Sequence, residues 1–391
     1  MRAVILVGGE GTRLRPLTCN IPKPMVPVAN RPFLEHMLNH LKRHGIDDVV
    51  LAVCYLPDHI SSYFGDGSAL GMRLAYIVEE APLGTAGAVR NVHEREPFGS
   101  TFLVFNGDVY TDLDLTAMIE SHRELRATAS IALTPVEDPT VYGIVETAHD
   151  NRVRRFLEKP SWDAVTTNMI NAGTYVLEPE VLSHMSPGYC TFERDVFPGL
   201  LSAAYPLYGF PSRGYWLDIG TPEKYLQLHH DILMGKVPGN LPGERLIEGV
   251  WVEEGCDMRP TARVTGPVLM GRNCFLGDHV HVNGPLVMGE SSLTFKCPLY
   301  AGTSGSCSAY PNNRRLLINS ATWGGTICSQ PLSPWRILSS TSREKMGKAP
   351  GSNPCRPWMK WFSSRYAYRW RRWGATTRFS AVIKAPVAGS R

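Results

Sequence analysis

Apolar residues in the first 110 positions follow two spacings. Ala3-Val4-Ile5-Leu6-Val7 is a short continuous run that opens onto glycine, and Asp48-Val49-Val50-Leu51-Ala52-Val53 and Phe102-Leu103-Val104-Phe105 have the same form. Runs of this length, bounded by turn residues, predict strands covered on both faces. Between the first two, Phe33, Leu34, Met37, Leu38 and Leu41 recur at helical spacing from Arg31 to His44, which predicts an amphipathic helix. Alternation of this kind to about residue 235 predicts an α/β domain with an open, mainly parallel sheet flanked by helices. In such sheets ligands sit beyond the carboxyl ends of the strands, where Gly8 and Asp108 both fall.

A different period starts near Val252. Val252, Met258, Val264, Met270, Leu276, Val282 and Met288 are spaced by six, and Cys256, Ala262, Val268, Cys274, Val280 and Leu286 each follow four residues behind. A strict period of six with compact apolar residues predicts a left-handed parallel β-helix over residues 252–290, in which each sixth side chain points into a triangular core. Residues 236–251 read as a linker. His279 and His281 fall on this element and read as surface positions rather than ligands. The period is expected to end at Met288, because the next residues in phase, Thr294, Tyr300 and Ser306, suit that core poorly.

Charge divides the chain at the same place. Residues 291–391 hold 16 of the Lys and Arg against the single acid Glu344, a net charge of +15, while residues 1–290 carry −11. Six of the nine tryptophans also lie in this tail. A basic, aromatic arm could bind nucleic acid or membrane. The favoured reading is a reading-frame slip that leaves the tail without a core pattern and disordered. Tryptophan has one codon, TGG, so Trp370-Arg371-Arg372-Trp373-Gly374 read one base earlier becomes alternating small and apolar text of the kind found in the repeats. Resequencing the gene decides between the two.

Length allows two or three domains. No apolar run approaches a membrane span, and the first strand is too short for a signal-peptide core. Nine cysteines, an odd number without Cys-x-x-Cys, read as reduced thiols of a cytoplasmic protein. Neither a nucleic acid nor a membrane is expected as a partner; a homo-oligomer is possible.

The candidate chemistry begins where the first strand ends. Gly8-Gly9-Glu10-Gly11-Thr12-Arg13-Leu14-Arg15 presents backbone N–H groups without obstructing side chains, and Arg13, Arg15 and, after Pro22, Lys23 add positive charge. This combination suits a polyphosphate, most simply a nucleotide. It is not a Walker loop, which requires Gly-Lys-Ser/Thr, and Leu14 stands where a dinucleotide fingerprint needs its third glycine.

The segments GTRLRPLT, PKPMVPVANRPFLEHML, LGTAGAV (Leu83–Val89), NGDV (Asn106–Val109), EKP (Glu158–Pro160), NAGTYVLEP (Asn171–Pro179) and WLDIGTPEKY (Trp216–Tyr225) occur in one order. Together they resemble the sugar-nucleotide pyrophosphorylases, over roughly Met1 to Glu290. The resemblance implies a Rossmann-like nucleotidyltransferase fold over residues 1–235. It also implies transfer of a nucleotidyl group from a nucleoside triphosphate to a sugar 1-phosphate, with release of pyrophosphate. Within the group the motifs are most similar to enzymes that join GTP to mannose 1-phosphate. Transfer of a thymidylyl or uridylyl group to glucose 1-phosphate is the alternative, and a non-catalytic scaffold of the same fold is the reading from another class.

Roles carry over onto matching positions. Leu6, Gly8, Gly9, Gly11, Thr12, Arg13, Leu83, Gly84, Thr85 and Gly107 are expected to hold the nucleotide, with Thr85 either reading the base or starting a helix. Arg13 would hold the triphosphate and Lys23 would contact phosphates; Pro22 and Pro24 stiffen the backbone around Lys23. Asp108 and Asp218 would bind Mg²⁺, which takes one or two carboxylates alongside phosphates and water. Gly143, Glu158, Asn171 and Gly173 would select the sugar, and Lys159 would meet its phosphate. Arg13, Lys23, Asp108, Lys159 and Asp218 form the catalytic set. Asp112, Asp114 and Asp231 read as turn formers or helix caps.

Overall fold

A computed structural model of the chain describes residues 1–237 and 241–296, and beyond them four short strands, Leu316–Ile318, Thr326–Ser329, Trp335–Ile337 and Ala381–Val382. Most of the tail, Tyr300 and Ser306 included, lies outside the described residues, and with it the readings of a frame slip or a binding arm. The chain forms two compact units. One comprises Met1–Val26 and Pro32–Gly220, the other Pro27–Arg31 and the chain from Thr221 onward.

The first unit is built on a nine-stranded sheet. Its parallel half consists of β1 (Arg2–Leu6), β2 (Asp48–Val53), β3 (Arg73–Val78) and β4 (Phe102–Asn106). Val49 to Val53 are all fully buried, as the unbroken apolar run predicts. Helix α1 (Phe33–Arg43) buries Phe33, Leu34, Met37, Leu38 and Leu41, the predicted stripe. The next helices are α2 (Pro57–Phe64) and α3 (Gly84–Arg95).

Strand order decides where a ligand can sit. β1 pairs with β2 on one side and with β4 on the other, both in parallel. The chain thus runs outward through β1, β2 and β3, then returns to the far side of β1 with β4. That reversal is a topological switch point, where the loops leaving two neighbouring strands diverge and open a crevice. Leu6 lies opposite Asn106 at its lip, and the Gly107 N–H donates to the Leu6 carbonyl at 2.9 Å. A Cβ at Gly107 would collide with that carbonyl, so only glycine lets β4 end so close to β1.

Beyond β4 the sheet turns mixed. A short strand β5 (Val109–Thr111) and helix α4 (Leu115–Glu124) lead into β6 (Ala129–Pro135), β7 (Gly143–Thr147), β8 (Val153–Glu158) and β9 (Met169–Leu177). β9 runs antiparallel to β4, β6 and β7. Helix α5 (Phe197–Ser202) precedes β10 (Leu207–Pro211), which is parallel to β6, and β11 (Trp216–Asp218) pairs antiparallel with β5. Asp114 caps α4 by accepting from the Ala117 N–H, the role assigned to it.

In the second unit, Thr221 caps α6 (Pro222–Leu233). The Tyr225 hydroxyl donates to the Pro27 carbonyl, and Arg31 pairs with buried Glu253 at 3.1 Å, which ties the Pro27–Arg31 excursion into this unit. From Val250 onward, short parallel strands stack with partners eighteen residues apart. Val250 lies beside Val268 and Val268 beside Leu286; Asp257 lies beside Phe275 and Arg263 beside His281. Three hexapeptides therefore make one turn. Val268, Met270, Cys274, Leu276, Val280, Val282, Leu286 and Met288 are buried together, with Cys256, Met258, Ala262 and Val264 partly buried against them. His279 and His281 are exposed.

One expectation changes. The ladder does not end at Met288: Leu293–Lys296 pairs in register with Phe275–Leu276, and Ser292 and Thr294 are buried. The Ser292 hydroxyl donates to the Gly289 carbonyl at 2.7 Å, so a small polar residue is accepted there because its hydroxyl finds a partner. Among the described cysteines, Cys54, Cys190, Cys256 and Cys274 are free thiols. Among the described residues no helix is long and apolar enough to cross a membrane.

Leu276 is fully buried within the stacked coil. Leu276→Ala is expected to destabilise the second unit by about 2–5 kcal/mol through lost transfer energy and a residual cavity. Denaturant unfolding checks this, and an unchanged midpoint would show that the coil core is loosely packed.

Candidate active site

The loop after β1 is shaped by its own backbone. Gly11 adopts a left-handed conformation (φ 63°), and its carbonyl accepts from the Leu14 N–H at 2.9 Å and the Thr18 hydroxyl at 2.7 Å. Leu14 is fully buried and anchors the turn, while its neighbours Thr12 and Arg13 stay exposed. A second short turn, Lys23–Met25, brings Lys23 beneath the loop.

Lys23 and Asp108 form the central ion pair. Lys23 is 8% exposed, and its Nζ donates to Asp108 Oδ2 at 2.8 Å. Burial pushes the Asp108 carboxyl upward. The charge and hydrogen bond of Lys23, followed by the charge of Arg13, outweigh it and hold the carboxyl below its ordinary value of 3.8.

Asp218 comes from a distant segment. It lies opposite Val109 across the β5–β11 ladder, and the Ile219 N–H donates to the Asp108 carbonyl at 2.9 Å. A Cβ placed on Gly220 would come 3.0 Å from Asp218 Oδ2 and 3.3 Å from Arg13 Nη2, so the guanidinium and this carboxylate converge over a glycine. Asp218 Oδ1 accepts from the Tyr142 hydroxyl at 2.7 Å. Burial first, then that hydrogen bond and the carboxylate charge, hold the phenol protonated far above its ordinary range. The two aspartates thus stand beside two cations and one phenol. Among the described residues no group of three or more His, Cys, Asp or Glu gathers into a metal cage. Two carboxylates beside two cations fit Mg²⁺, which dehydrates reluctantly and rarely occupies an all-protein cage.

A cavity of about 540 Å³ opens over Arg13, Lys23, Asp108 and Gly220. Leu6, Gly8, Gly9, Gly11, Thr12, Arg13, Leu83, Gly84, Thr85 and Gly107 all line it, as do Lys23 and Asp108. The whole expected nucleotide set is brought to one crevice. Thr85 lines the cavity, but its hydroxyl is engaged elsewhere: it donates to Glu193 at 2.9 Å and accepts from the Phe192 N–H at 2.9 Å. It stands one residue inside α3 and does not cap it. Gly84 is left-handed (φ 74°), and a Cβ there would lie 2.6 Å from the Cys190 carbonyl.

The residues expected to select the sugar form a neighbouring group and do not line that cavity. The Lys159 N–H donates to the Tyr142 carbonyl at 2.9 Å, and Lys159 Nζ stands 3.7 Å from Glu158. Glu158 Oε2 faces Gly143, where a Cβ would lie 2.8 Å away. Asn171 Oδ1 accepts from the Gly173 N–H at 2.9 Å, and its amide donates to the Tyr175 hydroxyl at 2.8 Å. Asp112 lies outside both groups; Asp231, within α6 of the second unit, pairs with Lys236 at 3.0 Å.

Three residues of the site escape a reading of the sequence alone. Tyr142 holds Asp218. Glu193 accepts from Thr85 and, at 3.3 Å, from Tyr175, and burial, reinforced by the charge of Glu158, raises its carboxyl above the ordinary value although hydrogen bonds oppose this. Glu79 lies just past β3 and lines the cavity. It is 8% exposed, its Oε2 accepts from the Leu83 N–H at 3.2 Å, and burial raises its carboxyl against that bond. The available signal was an acid four residues before Leu83 at a strand end.

The family model for nucleotidyl transferase matches residues 2–235. The chain belongs to that family and is a sugar-1-phosphate nucleotidyltransferase. It is 41% identical over 281 residues to a mannose-1-phosphate guanylyltransferase of Mycobacterium tuberculosis, covering 70% of this chain and 76% of the relative. It is 34% identical over 310 residues to a UTP–glucose-1-phosphate uridylyltransferase of Synechocystis, covering 75% and 79%. The crystal structure of HddC from Yersinia pseudotuberculosis, complexed with GMP-PN, superposes with a TM-score of 0.51 at 32% identity over 59% of this nucleotidyltransferase and 99% of HddC.

Asp108→Asn and Asp218→Asn each keep side-chain shape but remove charge. Each is expected to lower nucleotidyl transfer by about a hundredfold or more at saturating Mg²⁺, the usual cost of losing one such electrostatic contributor; near-normal turnover would remove that residue from the site. Asp108 also gives a stability test. Its depressed folded value means that its stabilisation is complete above the unfolded carboxyl value and is lost as pH falls through the folded one. The stability gap between the native enzyme and Asp108→Asn, measured by urea unfolding, should stay level from neutral pH down to about 5 and close below about 4. A gap that grew on acidification would contradict the pairing with Lys23.

Proposed function

We propose that this enzyme makes GDP-mannose, transferring a guanylyl group from GTP to mannose 1-phosphate and releasing pyrophosphate. The observation that carries the choice of base is the buried carboxylate of Glu79. Guanine presents N1–H and N2–H₂ side by side, and a carboxylate accepts from both. Uracil and thymine present one N–H flanked by two carbonyl oxygens, which would face the carboxylate unfavourably. The relative of 41% identity supports the same pair; the uridylyltransferase at 34% supports glucose 1-phosphate with UTP as the second reading.

In the proposed reaction a sugar-phosphate oxygen attacks the α-phosphorus in line and pyrophosphate departs. The nucleophile is already anionic, so the protein must chiefly bring anions together and neutralise them. Gly8, Gly9 and Gly11 offer backbone donors, Arg13 holds the triphosphate and accompanies the leaving pyrophosphate, and Lys23 contacts phosphate from below. Lys159 receives the sugar phosphate, while Gly143, Glu158, Asn171 and Gly173 bind sugar hydroxyls. Asp108 and Asp218 would hold Mg²⁺, which supplies charge neutralisation at the phosphates. The presence of all five catalytic positions argues against a non-catalytic scaffold, which has no use for the set.

The same reading takes residues 1–235 as the catalytic domain, 236–251 as a linker, and the eighteen-residue turns, which reach beyond the expected 252–290 at both ends, as a left-handed parallel β-helix. It also takes the protein as cytoplasmic, with self-association as a possible assembly.

A pyrophosphate-release assay over GTP, UTP, dTTP and ATP with mannose and glucose 1-phosphates tests the substrate pair. GTP with mannose 1-phosphate should give the highest kcat/KM. Glu79→Gln should cost at least about tenfold in kcat/KM for GTP, because a site built to accept from a base loses an order of magnitude or more when an acceptor is removed. The variant should lose much less with UTP. A native preference for UTP or dTTP would reject the guanine assignment and leave the reaction class standing.

A further inference from the structure

We propose that Tyr189 is a stacking platform for the nucleotide base. The inference rests on the functional reading above, since it gives the crevice a nucleotide to hold. Tyr189 is the sole aromatic residue among the described residues lining the 540 Å³ cavity. It is also the most exposed large hydrophobic residue among the described ones, at 71%. Among the described residues it has no ring contact and no hydrogen-bond partner.

An exposed tyrosine on a mobile loop would mean little, but the segment carrying this one is fixed. The Cys190 N–H donates to the Leu83 carbonyl at 2.9 Å, and the Cys190 carbonyl accepts from the Ala86 and Gly87 N–H groups at 3.0 and 2.9 Å. The Gly188 carbonyl abuts Gly87 so closely that any Cβ there would collide with it. The residues on either side of Tyr189 are thus pinned to the first turn of α3, next to Leu83, whose own N–H is held by Glu79. The ring is delivered to the base end of the crevice and left without a face-to-face partner.

An exposed flat π-system carried on a fixed backbone gains burial and stacking energy when another flat ring lies against it. Stacking does not read hydrogen-bonding edges. Tyr189 would therefore supply affinity for a base, with most overlap for a bicyclic purine, while Glu79 supplies the choice among bases. The phenol need not donate or accept.

The test compares Tyr189→Ala, Tyr189→Phe and the native enzyme by steady-state kinetics and by the equilibrium Kd for GDP. Tyr189→Ala should raise KM for GTP and Kd for GDP about ten- to a hundredfold, the range expected for loss of one base–aromatic stack. Tyr189→Phe should retain native values, and KM for mannose 1-phosphate should not move in either variant. The side chain is exposed, so thermal midpoints should match the native one. Unchanged nucleotide binding in Tyr189→Ala, equal damage from Phe and Ala, or a matching rise in sugar-phosphate KM would each overturn the inference. If the native enzyme prefers UTP or dTTP, the guanine assignment fails, and the Ala-against-Phe comparison with the preferred nucleotide and its diphosphate still decides whether Tyr189 stacks.

Discussion

Everything at the site depends on how closely β1 and β4 approach at their carboxyl ends. The Gly107 N–H bonds the Leu6 carbonyl, and no side chain fits between them. From that point one chain leaves into the Gly8–Arg13 loop and the other into Asp108. A parallel pair with chain reversal between its members leaves these two exits side by side. The loop amides and the first carboxylate are therefore neighbours by topology, before any side-chain interaction is considered.

Charge balance follows from this arrangement. Asp108 is held ionised by Lys23 and Arg13 against the cost of burial. In the proposed enzyme these cations serve twice: they pair with the carboxylate in the free protein and face phosphate oxygens in the complex. Asp218 is coupled to the same centre through backbone, since Ile219 bonds the Asp108 carbonyl, and through Tyr142, whose high-lying phenol remains a donor across the working pH range. The value of the Lys23–Asp108 pair here lies in fixing where the charges stand.

Much of this was legible in the sequence because it is local. Strands at 3–7, 48–53 and 102–105, the α1 stripe, the glycine turn and the period of six all depend on residues within a few positions of one another. Three hexapeptides per turn give the eighteen-residue ladder found between Val250 and Leu286. The missed features depend on residues brought together from afar. Tyr142 meets Asp218 across 76 positions, and Glu193 reaches Thr85 across 108. Nothing near either residue marks the contact. The antiparallel course of β9 is of the same kind, because an apolar run does not state its direction. Thr294 continues the ladder although its polarity argues otherwise, since only the folded coil supplies a neighbouring strand in register.

The central claim is that one crevice at the β1–β4 switch point holds a guanine nucleotide, with its phosphates at the Gly8–Arg13 loop and its base at Glu79. Calorimetric titration of the native enzyme with GTP and UTP in the absence of sugar phosphate tests it without turnover. The predicted result is tighter binding of GTP by about tenfold or more, together with loss of that preference in Glu79→Gln. Equal or tighter binding of UTP by the native enzyme, or a GTP preference that survives Glu79→Gln, would contradict it.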